Sequence, residues 1–234
     1  MTDAIDPIRD LHRVGALLGS LAERVVFVGG AVTGLLITDP GSSSLRATED
    51  LDVIIDVKSR TEYQVSVRND LYARGFREDA SEDAPICRWT IQGLLVDIMP
   101  ISLNVLGFSN RWYEESYLTA QAHRFEDGLS IRVISAPCFV ATKLEAFQDR
   151  GRDDCFASHD LEDVLAVVDG RPSLGSEIAA SSTALRDHVA GSIRALLARA
   201  DFRNALPGHL PGDLANQSRL PMLLDRLTKI SRGE

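Results

Sequence analysis

The sequence predicts an α+β fold: a first half that mixes strands with helices, then a second half of helices alone. Three observations carry this. Dense apolar runs such as Val25-Val26-Phe27-Val28 and Leu51 to Val57 read as buried strands. Helical spacing alternates with such runs up to about residue 134. From Pro137 onward only helical patterns remain, so a domain of residues 1–134 with a small mixed sheet is expected, followed by a helical domain of residues 135–234.

Taken in order, Ile8, Leu11, Val14, Leu17, Leu18 and Leu21 mark a helix between Asp6 and Glu23, with Pro7 suited to its first turn. Gly29-Gly30 closes the first strand, and Ala31 to Ile37 reads as a short helix. Asp39 to Ser44 is a loop by composition. Glu62 to Arg74 is a helix stopped by Gly75, and Phe76 to Glu78 is extended. Arg88 to Gln92 and Leu94 to Met99 form either a hairpin turning near Gly93 or one bent strand, and Leu129 to Ile134 is a short strand. The later helices are Pro137 to Gln148, Ser158 to Val168, Ile178 to Ala200 and Leu220 to Ile230.

The 44% hydrophobic and 25% charged content is that of an ordinary globular chain, and no apolar stretch reaches the roughly 20 residues that span a bilayer. MTDAIDPIRDLHRV lacks the apolar centre of a secretory signal, and the three scattered cysteines (Cys87, Cys138, Cys155) have no metal-ligand spacing, so a cytoplasmic protein with reduced thiols and no membrane partner is expected. A net charge of -9 argues against a general nucleic-acid coat, though not against one local basic patch, for which Arg186, Arg194, Arg199 and Arg203 are candidates at helical spacing. His12, His123, His159, His188 and His209 show no ligand spacing, so no zinc is assigned.

The chemistry concentrates in acids. Asp50 and Asp52 flank one leucine at a strand start, so both point to one face, with Cα atoms about 6.5–7 Å apart. Two ionised acids this close are tolerable in water or around a cation. The ordinary structural alternative is a solvated strand end. Asp97 lies inside LLVDIMPI, where an isolated carboxylate needs a partner, a proton or a metal. That partner is either a base such as Arg88 or Arg132, or a hard cation shared with Asp50 and Asp52. Gly29-Gly30 is either a tight turn or a place where backbone N–H groups approach a phosphate. Lys143 reads as a helix cation, and Ser158 followed by Asp160, Glu162 and Asp163 also suits any helix start.

In this order, FVGGA, TEDLD and VDIMP resemble the motifs of the polymerase-β-type nucleotidyltransferase superfamily. KLEAFQDRGRDDCFASHDLEDVLAVV is similar to the Lys…Arg…Asp-x-x-Asp segment of the AbiEii/MenT group, nucleotidyltransferase toxins of type IV toxin–antitoxin systems. The resemblance covers Val26 to Val168 and implies a polymerase-β-like nucleotidyltransferase domain followed by helices. It matches Asp50, Asp52 and Asp97 to the Mg²⁺ (or Mn²⁺) ligands, Gly29 and Gly30 to the phosphate turn, and Lys143, Asp160 and Asp163 to the later motif. Arg46, Arg150 and Arg152 are further candidate phosphate contacts, and Asp153 or Asp154 competes with Asp160 as the later acid. A serine-rich insertion, Gly41 to Leu45, departs from compact members and is expected to act as a lid over the triphosphate.

The activity this implies is transfer of a nucleoside monophosphate from a nucleoside triphosphate such as ATP to a hydroxyl acceptor, with release of pyrophosphate. For a toxin-like enzyme the acceptor is tRNA, and a cognate antitoxin is an implied partner. The alternatives are an antibiotic-modifying nucleotidyltransferase and a non-catalytic nucleotide-binding module on the same fold.

Overall fold

The four residues of β1 (Val25–Val28) are all buried, as their unbroken apolar run requires, and β2 (Asp50–Ile55) lies antiparallel beside them. The computed structural model describes residues 6–42, 48–150 and 154–234, without the side chain of residue 150. It divides into two compact units, one of Met1–Gly34 with Ala47–Ser135, the other of Leu35–Arg46 with Ala136–Glu234. The main boundary thus falls between Ser135 and Ala136, and a stretch from inside the first half belongs to the helical unit.

In the first unit, α1 (Pro7–Leu18) starts at Asp6, whose carboxylate accepts from the Arg9 N–H, and buries Leu11, Val14 and Leu18. After β1 comes one 3₁₀ turn, Gly30–Val32, then α2 (Thr33–Leu36). Beyond β2, a π turn at Glu62–Val67 runs into α3 (Arg68–Ala73), and Gly75 at φ 92° ends the helical stretch. The remaining strands are β3 (Arg77–Glu78), β4 (Arg88–Ile91), β5 (Leu94–Pro100), β6 (Gln121–Arg124) and β7 (Ser130–Val133), with α4 (Leu103–Leu106) and α5 (Tyr113–Leu118) between β5 and β6. They form one mixed seven-stranded sheet in the order β3-β4-β5-β2-β1-β7-β6, with β2–β5 and β1–β7 the parallel pairs.

β4 and β5 form the hairpin alternative. Gln92 at φ 48° and Gly93 at φ 80° make the two-residue turn, which fixes Ile91 opposite Leu94. β6, α4 and α5 are elements the periodicity did not single out.

The second unit contains α6 (Ala136–Arg150), α7 (His159–Gly170), α8 (Leu174–Ala179), α9 (Thr183–Ala198), α10 (Ala200–Ala205), α11 (Leu214–Gln217) and α12 (Leu220–Arg232). α6 packs on α7 and α9 on α12, burying Phe139, Leu144, Leu165, Val189, Ile193 and Leu227. The single helix expected over Ile178 to Ala200 is broken twice. Ser182, extended at ψ 148°, caps α9 by accepting from the Leu185 N–H, and Arg199 is extended at ψ 132°.

Within this unit the described residues Leu35 to Ser42 are fastened to the end of α7. Thr38 and Asp39 donate their N–H groups to the Gly170 carbonyl, both at 2.9 Å, and Arg171 donates to the Leu36 carbonyl at 2.8 Å. The Arg219 guanidinium spans Asp39 at 2.7 Å and buried Asp169 at 2.8 Å. No described helix is long and apolar enough to cross a membrane.

Candidate functional site

β2 is central, paired to β1 on one side and β5 on the other, and its alternation buries Leu51, Val53 and Ile55 while Asp50 and Asp52 stay part-exposed. The parallel register sets Asp52 directly beside Asp97, with Asp50 two residues along on the same face. Three predicted site acids are therefore brought together on one face of one sheet. Asp97 is 8% exposed.

Arg88 completes this cluster. The Gln92-Gly93 turn places Arg88 opposite Asp97, so both side chains share a face. Its Nε donates to Asp97 Oδ1 at 2.8 Å, and its Nη2 donates to Asp97 Oδ2 and to Asp50 Oδ2, each at 2.8 Å. Of the two bases considered for Asp97, the structure selects Arg88; Arg132 donates instead to the Glu23 and Tyr117 carbonyls. The hydrogen bonds and charge of Asp97 hold the guanidinium above its ordinary range despite partial burial, so it is permanently cationic. Next to it, burial and then the Asp97 charge push the Cys87 thiol up to about 12. Thr48 Oγ1 donates to the Asp50 carbonyl at 3.3 Å and steadies the strand entry.

Gly29 has φ 70° and ψ -171°, a conformation essentially reserved for glycine. A Cβ on it would lie 1.9 Å from Asp52 Oδ2, so the Asp52 carboxylate rests directly against the Gly29 backbone. The Gly30 carbonyl accepts from the Thr33 hydroxyl at 2.8 Å, which closes the turn. The regular helix that follows is only α2, four residues long, so the helix dipole expected to assist a phosphate is small here; what the turn contributes is backbone N–H groups and closeness to Asp52.

In the second unit, Lys143 Nζ on α6 lies 3.0 Å from Asp160 and 2.7 Å from Asp163 on α7. The Lys143 side chain is 12% exposed and that of Asp163 only 2%, so the lysine is not a solvated helix cation. Burial alone would lower its pKa, but the Asp163 and Asp160 carboxylates outweigh burial and raise it. Ser158 Oγ caps α7 by accepting from the Leu161 N–H, so the helix-start pattern and the lysine-binding acids coincide in one segment. Asp154 accepts instead from the Phe156 and Ala157 N–H groups. Asp160 and Asp163 are thus the later acids that Lys143 holds. Arg46, Arg152, Asp153, the Arg150 side chain and Ser43 to Leu45 of the expected lid lie outside the described residues.

The four arginines expected to make a basic patch do not form one helical stripe, because Arg199 sits at the extended break after α9. Arg199 pairs with Asp201 at 2.7 Å, while Arg194 and Arg203 donate to the Ser231 and Leu197 carbonyls.

Among the described residues no three His, Cys, Asp or Glu side chains stand ready as a metal cage. The chemistry of Asp50, Asp52 and Asp97 nevertheless fits a hard divalent cation: three carboxylates share one face, in adjacent register, and a cationic group already holds two of them. Compared with known protein families and with curated proteins, the chain matches none.

Proposed function

We propose that this chain is a metal-dependent nucleotidyltransferase with a polymerase-β-like first unit, moving a nucleoside monophosphate from a nucleoside triphosphate onto a hydroxyl acceptor. The observation that carries the reading is the register of Asp52 with Asp97 on adjacent parallel strands, with Asp50 on the same face and the Gly29 backbone against Asp52. Convergent oxygen donors beside a glycine turn suit a cation and a phosphate together.

Asp50, Asp52 and Asp97 would hold Mg²⁺ or Mn²⁺, which supplies charge neutralisation on the phosphates and acidifies a nearby hydroxyl. The Gly29-Gly30 backbone receives phosphate oxygens. Asp97 takes the acceptor proton as the hydroxyl oxygen bonds to the α-phosphorus; the bond from that phosphorus to the bridging oxygen breaks, and pyrophosphate leaves with its electron pair. The resemblance also assigns Lys143 and Asp160 to nucleotide handling; in the second unit they hold each other, and they take no step in the transfer described here. A toxin-like enzyme acting on tRNA, with a cognate antitoxin, is the form of the proposal the resemblance favours, and a small antibiotic acceptor is its alternative.

One observation favours a non-catalytic module: Arg88 already supplies a counter-charge to both Asp50 and Asp97. The two readings separate when the protein is incubated with labelled nucleoside triphosphates, Mg²⁺ or Mn²⁺, and total RNA. Label transfer with pyrophosphate release, abolished in Asp52→Asn, is the expected result. Nucleotide-dependent thermal stabilisation that needs no divalent ion, with no transfer, would leave the binding module.

A further inference from the structure

We propose that Arg88 is a displaceable internal counter-ion, which holds Asp50 and Asp97 in the cation-free protein and yields them when a divalent cation binds. This rests on the reading of the three acids as a cation site. A single nitrogen, Nη2, donates to Oδ2 of both Asp50 and Asp97 at 2.8 Å, while Nε takes the remaining oxygen of Asp97. An ion shared by these two carboxylates must take an oxygen of Asp97, and the guanidinium already uses both of them. The two cations are therefore alternative occupants, and divalent binding is weakened by the free energy of breaking charge-assisted hydrogen bonds.

Partial exposure makes exchange feasible. The Arg88 and Asp50 side chains are 21% and 35% exposed, so a released guanidinium regains water rather than being stranded. Its planar fork also matches phosphate oxygens as well as carboxylates, so a nucleoside triphosphate offers it a new partner of the same charge. Arg88 thereby prevents mutual repulsion of the acids before loading, without contributing a permanent ligand.

The test measures Mn²⁺ binding by electron paramagnetic resonance, without nucleotide, on the full chain. Arg88→Met should bind Mn²⁺ about tenfold tighter or more than the parent chain. Its unfolding midpoint should fall in chelator and recover on adding Mn²⁺. Arg88→Lys, which keeps the charge but not the fork, should fall between the two and guards against a folding failure of the methionine variant. Equal or weaker Mn²⁺ binding in both variants would overturn the proposal and make Arg88 a fixed support for the acids. If that happens while the parent chain transfers nucleotides, the enzymatic reading stands alone. Tighter binding by the variants, with no transfer by the parent chain, keeps Arg88 as a displaceable counter-ion and removes the enzymatic reading. Mn²⁺ binding to Arg88→Met that survives Asp97→Asn places the ion elsewhere and defeats both.

Discussion

Each unit contains a cation clasped by two carboxylates, Arg88 in the sheet and Lys143 between helices, and the two clusters differ in kind. In the sheet, Arg88 uses a planar fork on Asp97 and Asp50, and the side chains remain 11–35% exposed. Between α6 and α7, Lys143 is a point charge held by Asp160 and by Asp163, the latter only 2% exposed. Partner exchange is cheap where water can re-enter and costly where it cannot. The same two-to-one ratio of acid to base can thus serve as a replaceable plug at a strand face and as a permanent rivet between helices.

The largest effect should come from breaking the rivet. Lys143→Met leaves Asp163 buried without its cation and should cost on the order of 3–5 kcal/mol by urea unfolding, regardless of divalent ions. Replacing the acid as well, in Lys143→Met with Asp163→Leu, should recover much of that loss. A loss below about 1 kcal/mol for the single variant would show that the rivet is as open as the plug.

Within the sheet the acids should separate by role. Asp97→Asn removes both oxygens' charge from the Arg88 fork and should cost roughly 1–3 kcal/mol in chelator. Asp52→Asn leaves the Arg88 fork intact, so its cost in chelator should be smaller than that of Asp97→Asn, while pyrophosphate release is abolished. Thermal unfolding in chelator alongside a pyrophosphate assay reads both. Equal destabilisation by the two variants would remove the distinction.

Gly29→Ala should cost about 1–3 kcal/mol for its backbone alone, and it pushes Asp52 away from the turn. Loss of transfer should accompany it. Full activity in this variant would free the turn from any part in the site.

The smallest effect is in pH. The folded pKa of Lys143 is raised above its ordinary 10.5, so its contribution is fully present below 10.5 and is lost only as pH rises through the higher folded value. The stability difference between the parent chain and Lys143→Met should therefore be flat across the neutral range and narrow only in strong alkali. A gap that closes near neutrality would mean the lysine is not held charged.

Asp97 was legible because it interrupts an apolar run, and Asp50 and Asp52 because they flank one leucine at the start of another, anomalies that local sequence displays. Their register was not, since pairing β2 with β5 is a long-range choice that no local period encodes. Arg88 is an intermediate case. A two-residue turn at Gln92-Gly93 forces Ile91 opposite Leu94, and counting three residues outward on each strand reaches Arg88 and Asp97. The chain therefore contained enough to prefer Arg88 over Arg132 once the hairpin was chosen over the bent strand. β6 escaped notice because Gln-Ala-His-Arg is an exposed edge with no apolar alternation. The breaks around α9 escaped because the apolar stripe continues across them, while the Ser182 cap and extended Arg199 are local backbone events.

The fastening of Leu35 to Ser42 sets an order of events during synthesis. Asp39 waits for Arg219, 180 residues downstream, and at ribosomal rates of about 5–20 residues per second that interval is roughly 10–40 seconds. Over that interval the strand bearing Asp50 and Asp52 is already out of the ribosome, whereas the clasp on the segment just before it cannot close until α12 has begun to emerge. The helical unit of a nascent chain therefore stays conformationally unfinished until Arg219 is made, so a translation product truncated before it would lack this closure however complete its sheet.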